Sequence, residues 1–256
     1  DPNLQNIPAR DEFGKRIREG FVPRRGNLIL SADYSQIELR IAAHICGDGN
    51  MLRAFREGID IHTLTASSVF GVEAKDVTPE MRRQAKIINF ATIYGVSPFG
   101  LSKQADISMK EAAKFIDRYF ETYPGFREYI DKTVQFAREH GYVETLLGRR
   151  RPVPDITSSA VFRREGAERI AINTPIQGTS ADLIKIAMIA IHRGMKENNM
   201  HSRMILQVHD ELVFDVDPSE KDAMQILVKE KMEHAMELSV PIVAELGWGR
   251  SWGEAH

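Results

Sequence analysis

Cysteine is nearly absent: Cys46 is the single one among 256 residues, so no intramolecular disulfide can form. It lies in the apolar run Ile41, Ala42, Ala43, Ile45, which marks a buried structural thiol in a reducing compartment. No stretch approaches the roughly 18 consecutive apolar residues of a membrane span. The opening Asp1-Pro2-Asn3 has neither the basic nor the apolar region of a signal peptide, so the expectation is a cytoplasmic protein with no membrane partner. There is no Walker-type glycine-rich loop: Gly95-Val96-Ser97-Pro98-Phe99-Gly100 lacks the Lys-Ser/Thr that would follow, which excludes a P-loop enzyme. Internal repeats and low-complexity tracts are also missing. The chain starts without Met and directly inside structured-looking sequence, as a portion of a longer polypeptide or of an assembly would.

What is present is ordinary globular composition, 43% hydrophobic and 27% charged, with length for one large domain or two small ones. The net charge of −2 argues against a nucleic-acid partner only as a sum, because the charges are segregated. Between Arg149 and Arg169 six arginines face three acids, a stretch able to grip phosphates. Between Asp210 and Asp217 there are four acids and no Lys or Arg, a stretch able to hold a cation.

Hydrophobic periodicity and breakers give a mixed α+β chain. Residues 1–27 are rich in Pro, Gly and Arg and read as irregular, with at most an edge strand. Residues 28–33 read as a strand. Ser35 and Glu38, at capping-box spacing, open a helix through Cys46. Helices follow over 60–70, from an N-cap at Thr78 and an N1 proline at Pro79 to about Tyr94, over 110–123 and 127–140, over 181–198 and over 219–238. Residues 204–208 and 212–216 flank His209-Asp210-Glu211 as a hairpin. The expected architecture is a small antiparallel sheet of 28–33, 204–209 and 211–216 with helices packed on one face and a helical lobe inserted. Boundaries are expected near 59/60 and 140/141.

Pairing 28–33 with the hairpin would bring Asp33 and Asp210 together. Two carboxylates suit Mg²⁺, a hard cation that takes one or two of them plus substrate phosphates, and two such ions serve phosphoryl transfer. Alternatively Asp33 is a helix cap and Asp210 a turn residue. Against that, Asp-Glu is a poor two-residue turn, and Asp33, Asp210 and Glu211 would crowd negative charge without a cation. On the helix from Pro79, Arg82, Lys86, Phe90 and Tyr94 recur every four residues, with Ala85, Ile88 and Thr92 off the stripe. That face would suit a nucleoside triphosphate, with phosphates on the two cations and the base near the aromatics. It would equally be a solvated basic face beside buried aromatics. Glu38 is explained as well by its capping box as by a functional role.

Three runs carry a resemblance: 31–40 (SADYSQIELR), 82–90 (RRQAKIINF) with Tyr94-Gly95, and 207–211 (QVHDE). In content and order they are similar to the three motifs of the DNA polymerase I family, family A. Residues 1–10 (DPNLQNIPAR) and 173–179 (NTPIQGT) also resemble family segments, so the likeness covers essentially the whole chain. It implies that Asp33 and Asp210 bind two Mg²⁺ ions, for which Mn²⁺ could substitute, with Glu211 beside them in a supporting catalytic role. Arg82 and Lys86 would hold the dNTP triphosphate with His62 and Gln36 nearby, Phe90 would pack on the nucleotide, and Tyr94 would sit by the templating base. Glu38 would be the steric gate against a ribose 2′-hydroxyl. Arg10, Gln177, His209 and Asn173 would contact primer–template DNA in the minor groove, where shared acceptors permit sequence-indifferent checking. The helix from Pro79 would swing to close on a paired nucleotide.

The family commonly places glycine after the motif's aromatic, where this chain has Ala91. The family's thumb lies upstream, so the resemblance implies a palm-and-fingers portion: palm over 1–59 and 141–256, fingers over 60–140, with the thumb elsewhere in the polypeptide or on a partner chain. The implied activity is template-directed DNA synthesis in replication or repair. The competing readings are a single-subunit RNA polymerase, disfavoured by Glu38, and a non-catalytic nucleic-acid-binding fragment, disfavoured by the intact Asp33, Asp210, Arg82 and Lys86.

Overall fold

The computed structural model describes Ile7 and residues 12–255, so the expectation for Arg10 lies outside the described residues. In chain order the elements are α1 (Glu12–Glu19), β1 (Leu28–Tyr34), α2 (Ile37–Cys46), α3 (Gly49–Arg56), α4 (Ile61–Phe70), α5 (Pro79–Ile93), α6 (Pro98–Ala105), α7 (Met109–Thr122) and α8 (Pro124–His140). After these come β2 (Tyr142–Glu144), β3 (Arg150–Pro152), α9 (Val161–Glu197), β4 (Arg203–Val208), β5 (Glu211–Val216), α10 (Lys221–Glu233), β6 (Ala244–Gly249) and α11 (Trp252–Ala255). Among the described residues no helix is long and apolar enough to cross a membrane. The chain forms two compact units, Asp1–Ile37 with Ala181–Glu237 and Ile242–His256, and Glu38–Ser180 with Leu238–Pro241.

The first unit is built on an antiparallel sheet in the order β4-β5-β1-β6. β1 is central, and its near-continuous apolar sequence follows from burial on both faces: Ile29, Leu30 and Ala32 are all at most 1% exposed. All six residues of β5 are buried too. Burying each large aliphatic or aromatic side chain is worth about 1.5–3 kcal/mol, so these two strands anchor the unit. The sequence anticipated both, and the hairpin strand β4 beside them. It missed β6, whose Gly247 and Gly249 weaken a strand pattern. Those glycines are there because α11 lies directly on β6: a Cβ on Gly247 would meet Ala255 O at 2.0 Å, and one on Gly249 would meet Ala255 N at 2.7 Å. This seats Trp252, fully buried, edge-on to Phe21 at 5.5 Å.

The N-terminal stretch read as irregular contains α1. Its pattern is inverted, with Gly14 and Arg18 buried and Phe13 and Ile17 exposed, because the buried face packs on α11. That tertiary contact overrides the breakers.

The second unit is helical, with a short β2–β3 ribbon. Thr78 caps α5 by accepting from Met81 N at 3.2 Å, with Pro79 at the first position as expected, and Gly71 ends α4 in the left-handed conformation. Tyr119, Tyr123 and Phe126, all at 0% exposure, form an aromatic core between α7 and α8. The expected helix 181–198 is the second half of α9, a 37-residue helix that continues through Pro175. Proline leaves the turn before it one hydrogen bond short. Beside that gap the Thr174 hydroxyl donates to Ile170 O at 2.6 Å. Residues 38–59 and 141–180 lie in this helical unit. Ala137 of α8 shares a core with Val143, Val153, Ile156, Ala167 and Ala171, which ties the ribbon and the start of α9 to α8.

Gly247→Ala is expected to destabilise the protein by roughly 1–3 kcal/mol, since the new methyl meets backbone that cannot rotate away. Gly49→Ala, with open space around its Cβ, should change stability by less than about 0.5 kcal/mol. Urea unfolding midpoints compare the two, and equal midpoints would contradict the close-approach argument.

Candidate active site

Antiparallel register sets Asp33 opposite Glu211 on β5 and opposite Glu245 on β6. Asp33 therefore lies at the end of β1 beside the β4–β5 turn, where Tyr34 N donates to Asp210 O at 3.2 Å. The expected juxtaposition of Asp33 and Asp210 is present. The turn is not Asp-Glu, however: strand pairing runs to Val208 and Glu211, so His209-Asp210 forms the two-residue loop. His209 takes φ of +53°, which a hairpin turn of this length usually assigns to glycine, and its carbonyl accepts from Gln207 Nε2 at 2.6 Å. Gln36, after β1, has φ of +54°. A left-handed Gln is uncommon, and such strain persists where the surroundings over-determine it, often at sites of function.

Burial, followed by the charges of Asp210, Glu211 and Glu245, raises the Asp33 carboxyl to about 7. Glu211 is 3% exposed and anchored: its Oε1 accepts from Ser31 Oγ at 2.6 Å and from Trp252 Nε1 at 2.7 Å. Arg18 Nη1 lies 3.8 Å from Oε2, and the Arg18 guanidinium stacks 4.1 Å from the Trp252 ring. Among the described residues no group of three or more His, Cys, Asp or Glu side chains is arranged to hold a metal ion. The half-buried pair Asp33 and Asp210 nevertheless fits a hard divalent cation, because it is an all-oxygen donor set whose mutual repulsion a cation would relieve and whose remaining positions phosphate oxygens and water can fill. Ser31, Trp252 and Arg18 went unnoticed in the sequence; a serine inside an otherwise apolar central strand was the available signal.

In the helical unit, α5 presents the expected stripe: Arg82 and Lys86 are exposed, Phe90 and Tyr94 half-buried, and Ala85, Ile88 and Thr92 buried off it. Phe90 and Tyr94 have ring centroids 6.4 Å apart. The Tyr94 hydroxyl donates to Glu38 Oε2. Arg82 Nε donates to Asp60 Oδ2 at 2.5 Å. Burial works to raise the Asp60 carboxyl, but hydrogen bonds from Arg82, Thr63 and His62 N outweigh it and hold the group below the usual carboxylate range.

His62 is not on an exposed phosphate-facing surface: it is 2% exposed, and its Nδ1 accepts from Asn89 Nδ2 at 2.9 Å. Asn89 Oδ1 accepts from Thr65 Oγ1 at 3.0 Å, and Thr65 meets the Tyr123 hydroxyl at 2.9 Å. Burial, assisted by Arg82 and Lys86 and opposed by Asp60, lowers the imidazole to about 4, so His62 is neutral at physiological pH. Asn89, on the buried side of α5, was also overlooked in the sequence.

Arg169, Asn173 and Gln177 follow at four-residue intervals along α9. Gln177 is exposed, and the half-buried Asn173 has a buried Oδ1 with no hydrogen-bond partner among the described residues. Gly95, just past α5, packs against this helix: a Cβ there would lie 3.5 Å from Arg169 Cγ. The arginine-rich stretch is partly structural, since Arg149 Nη2 donates to Gly178 O at 2.9 Å and Arg150 pairs with Glu144 at 3.4 Å.

Asp33 binds its proton more tightly in the folded than in the unfolded chain. The stability this supplies is full below about pH 4 and is lost as pH rises through about 7. Asp33→Asn should therefore unfold at higher urea than the parent at pH 8 in the presence of a chelator, with the gap narrowing toward pH 5. Parallel pH profiles for the two proteins would contradict the crowding.

The sequence profile of DNA polymerase family A matches residues 1–254. The chain is 53% identical over 254 residues to DNA polymerase I of Caldicellulosiruptor bescii, covering 99% of this chain and 30% of the relative. It is 51% identical over 256 residues to DNA polymerase I of Bacillus caldotenax, and 52% identical over 255 residues to the thermostable DNA polymerase I of Thermus filiformis, covering 100% of this chain and 29% and 30% of those relatives. Among solved structures, the POL domain of Pol1 from M. smegmatis, in complex with DNA primer-template and dNTP, matches with a TM-score of 0.95 and 46% identity, over 99% of this chain and 45% of that one. The chain thus spans about 30% of the length of these curated relatives. With its motif residues gathered at one hairpin and along one helix stripe, and with the family profile matching from end to end, the chain belongs to DNA polymerase family A.

Proposed function

We propose that this chain carries the palm and fingers of a template-directed DNA polymerase, joining a dNTP to a primer 3′-hydroxyl with release of pyrophosphate. The observation that carries the proposal is the Asp33–Asp210 pair, two aspartates crowded at the open end of the sheet at a cost that DNA binding alone does not require. The M. smegmatis Pol1 domain was solved with primer-template and dNTP, which supports the same substrates here.

In this reading residues 1–59 and 141–256 are palm, and residues 60–140, which hold α4 to α8, are fingers. Asp33 and Asp210 would hold the Mg²⁺ ions, or Mn²⁺ in their place, and His209 takes the left-handed turn conformation directly before Asp210. When bound, such ions would supply Lewis acidity for activating the attacking hydroxyl and for stabilising charge on the leaving pyrophosphate. Glu211 acts through the fold, fastening the first residue of β5 to Ser31 and Trp252. Arg82 and Lys86 neutralise the triphosphate while Phe90 packs on the nucleotide. Tyr94 lies by the templating base and holds the Glu38 carboxylate, a gate whose rejection of a ribose 2′-hydroxyl is steric. His62 ties α4 to α5 through Asn89. Gln36 flanks the nucleotide, and Arg10, Asn173, Gln177 and His209 follow the primer–template minor groove. The duplex grip of a thumb comes from the rest of the polypeptide or from a partner chain, and the enzyme serves replication or repair in the cytoplasm.

Single-nucleotide primer extension with Mg²⁺ and each dNTP in turn tests this. The expected result is extension only by the template-matched dNTP, with Asp210→Ala reducing the rate by at least about 10³-fold, the order of loss when strong electrostatic stabilisation is removed. Template-independent DNA binding with no extension by the full-length protein would favour a non-catalytic nucleic-acid-binding role, and preference for ribonucleotides would favour an RNA polymerase.

A further inference from the structure

Asp60 has no place in the motifs above, yet both its carboxylate oxygens are engaged. As N-cap of α4, its Oδ1 accepts from His62 N at 3.1 Å, while Oδ2 accepts from Thr63 Oγ1 at 2.6 Å and from Arg82 Nε at 2.5 Å. The carboxylate is therefore fixed to the start of one helix and reaches a cation on the next. It holds Arg82 by the inner edge of the guanidinium. The two terminal nitrogens, the fork that pairs with phosphate in bidentate fashion, have no hydrogen-bond partner among the described residues, and the side chain is 47% exposed. A long flexible cation is thus anchored at Nε with its phosphate-binding end presented.

We propose that Asp60 is a positioning residue for Arg82, orienting its guanidinium fork for the triphosphate of the incoming nucleotide. This rests on the polymerase reading and adds a residue to it. An unanchored arginine must surrender its side-chain freedom when the nucleotide arrives; one already held by a carboxylate on a capped helix does not. Position 60 separates this role from helix capping, because serine or threonine can cap α4 but is too short to reach Arg82.

The test measures KM for the matched dNTP and kcat in the full-length protein for the parent, Asp60→Ser, Arg82→Ala and the double variant, with Asp60→Thr replacing Asp60→Ser if the latter does not fold. The expected result is a KM raised roughly three- to tenfold by Asp60→Ser, with kcat changed by less than about twofold. In the Arg82→Ala background the same change should have no further effect on KM. An unchanged KM, or an equal rise in both backgrounds, would overturn the positioning role. A lowered KM would overturn it too, since Asp60 would then be a competitor that the triphosphate must displace. In each of those cases Arg82→Ala still raises KM and the polymerase reading stands. If the parent extends no primer, or if Arg82→Ala leaves KM unaltered, that reading itself fails, and this proposal with it.

Discussion

The structure turns on holding like charges together. Asp33 ends β1 and Asp210 lies in the β4–β5 turn, far apart in sequence, and nothing local favours their meeting; the apolar register of β1 against β5 forces it. Ile29, Leu30 and Ala32 on one strand and Val213 and Phe214 on the other are almost wholly buried, and their packing against fixed neighbours on both faces holds the pairing. The hydrophobic effect thus supplies the free energy that electrostatics opposes. The raised carboxyl of Asp33 is the visible sign of that opposition.

Beside this pair the Glu211 carboxylate is held from within the unit. Glu211 stands between an acidic surface and an apolar interior, and its hydrogen bonds from Ser31 and Trp252, with Arg18 close by, let a carboxylate remain buried. Those bonds also join three distant stretches, α1, β1 and α11, to the first residue of β5. The close approach of α11 to the glycines of β6 makes the joint possible, so two small residues at the sheet edge bear on the placement of a carboxylate at its centre.

Much of this was legible in the sequence where one signal dominated. β1 and β5 announced themselves as apolar runs, α5 by Thr78-Pro79, α4 by Gly71, and the Arg82–Tyr94 stripe by its spacing. Where tertiary contact decides, local signals misled or fell silent. Gly14 reads as a breaker but lies buried within α1, Pro175 reads as a stop but sits within α9, and Gly247 reads as a loop but lies in a strand. The site was legible by residue type and only partly by arrangement. Asp33 and Asp210 were paired correctly, whereas the turn was misplaced by one residue and His62 turned inward to Asn89. Asp60 and Asn89 were overlooked because a capping aspartate and a buried asparagine look alike whether or not they do anything further.

The seam between α4 and α5 has a neutral half and a charged half. His62, Asn89, Thr65 and Tyr123 form a buried chain of uncharged hydrogen bonds, while Asp60 and Arg82 pair at the surface. Mobile ions screen exposed charges over about 10 Å at 0.1 M ionic strength and hardly touch buried neutral dipoles. The cohesion of the two helices is therefore insulated from salt, and the cationic face they carry is not. As ionic strength rises, this surface loses attraction for anions while the scaffold that displays it stays intact.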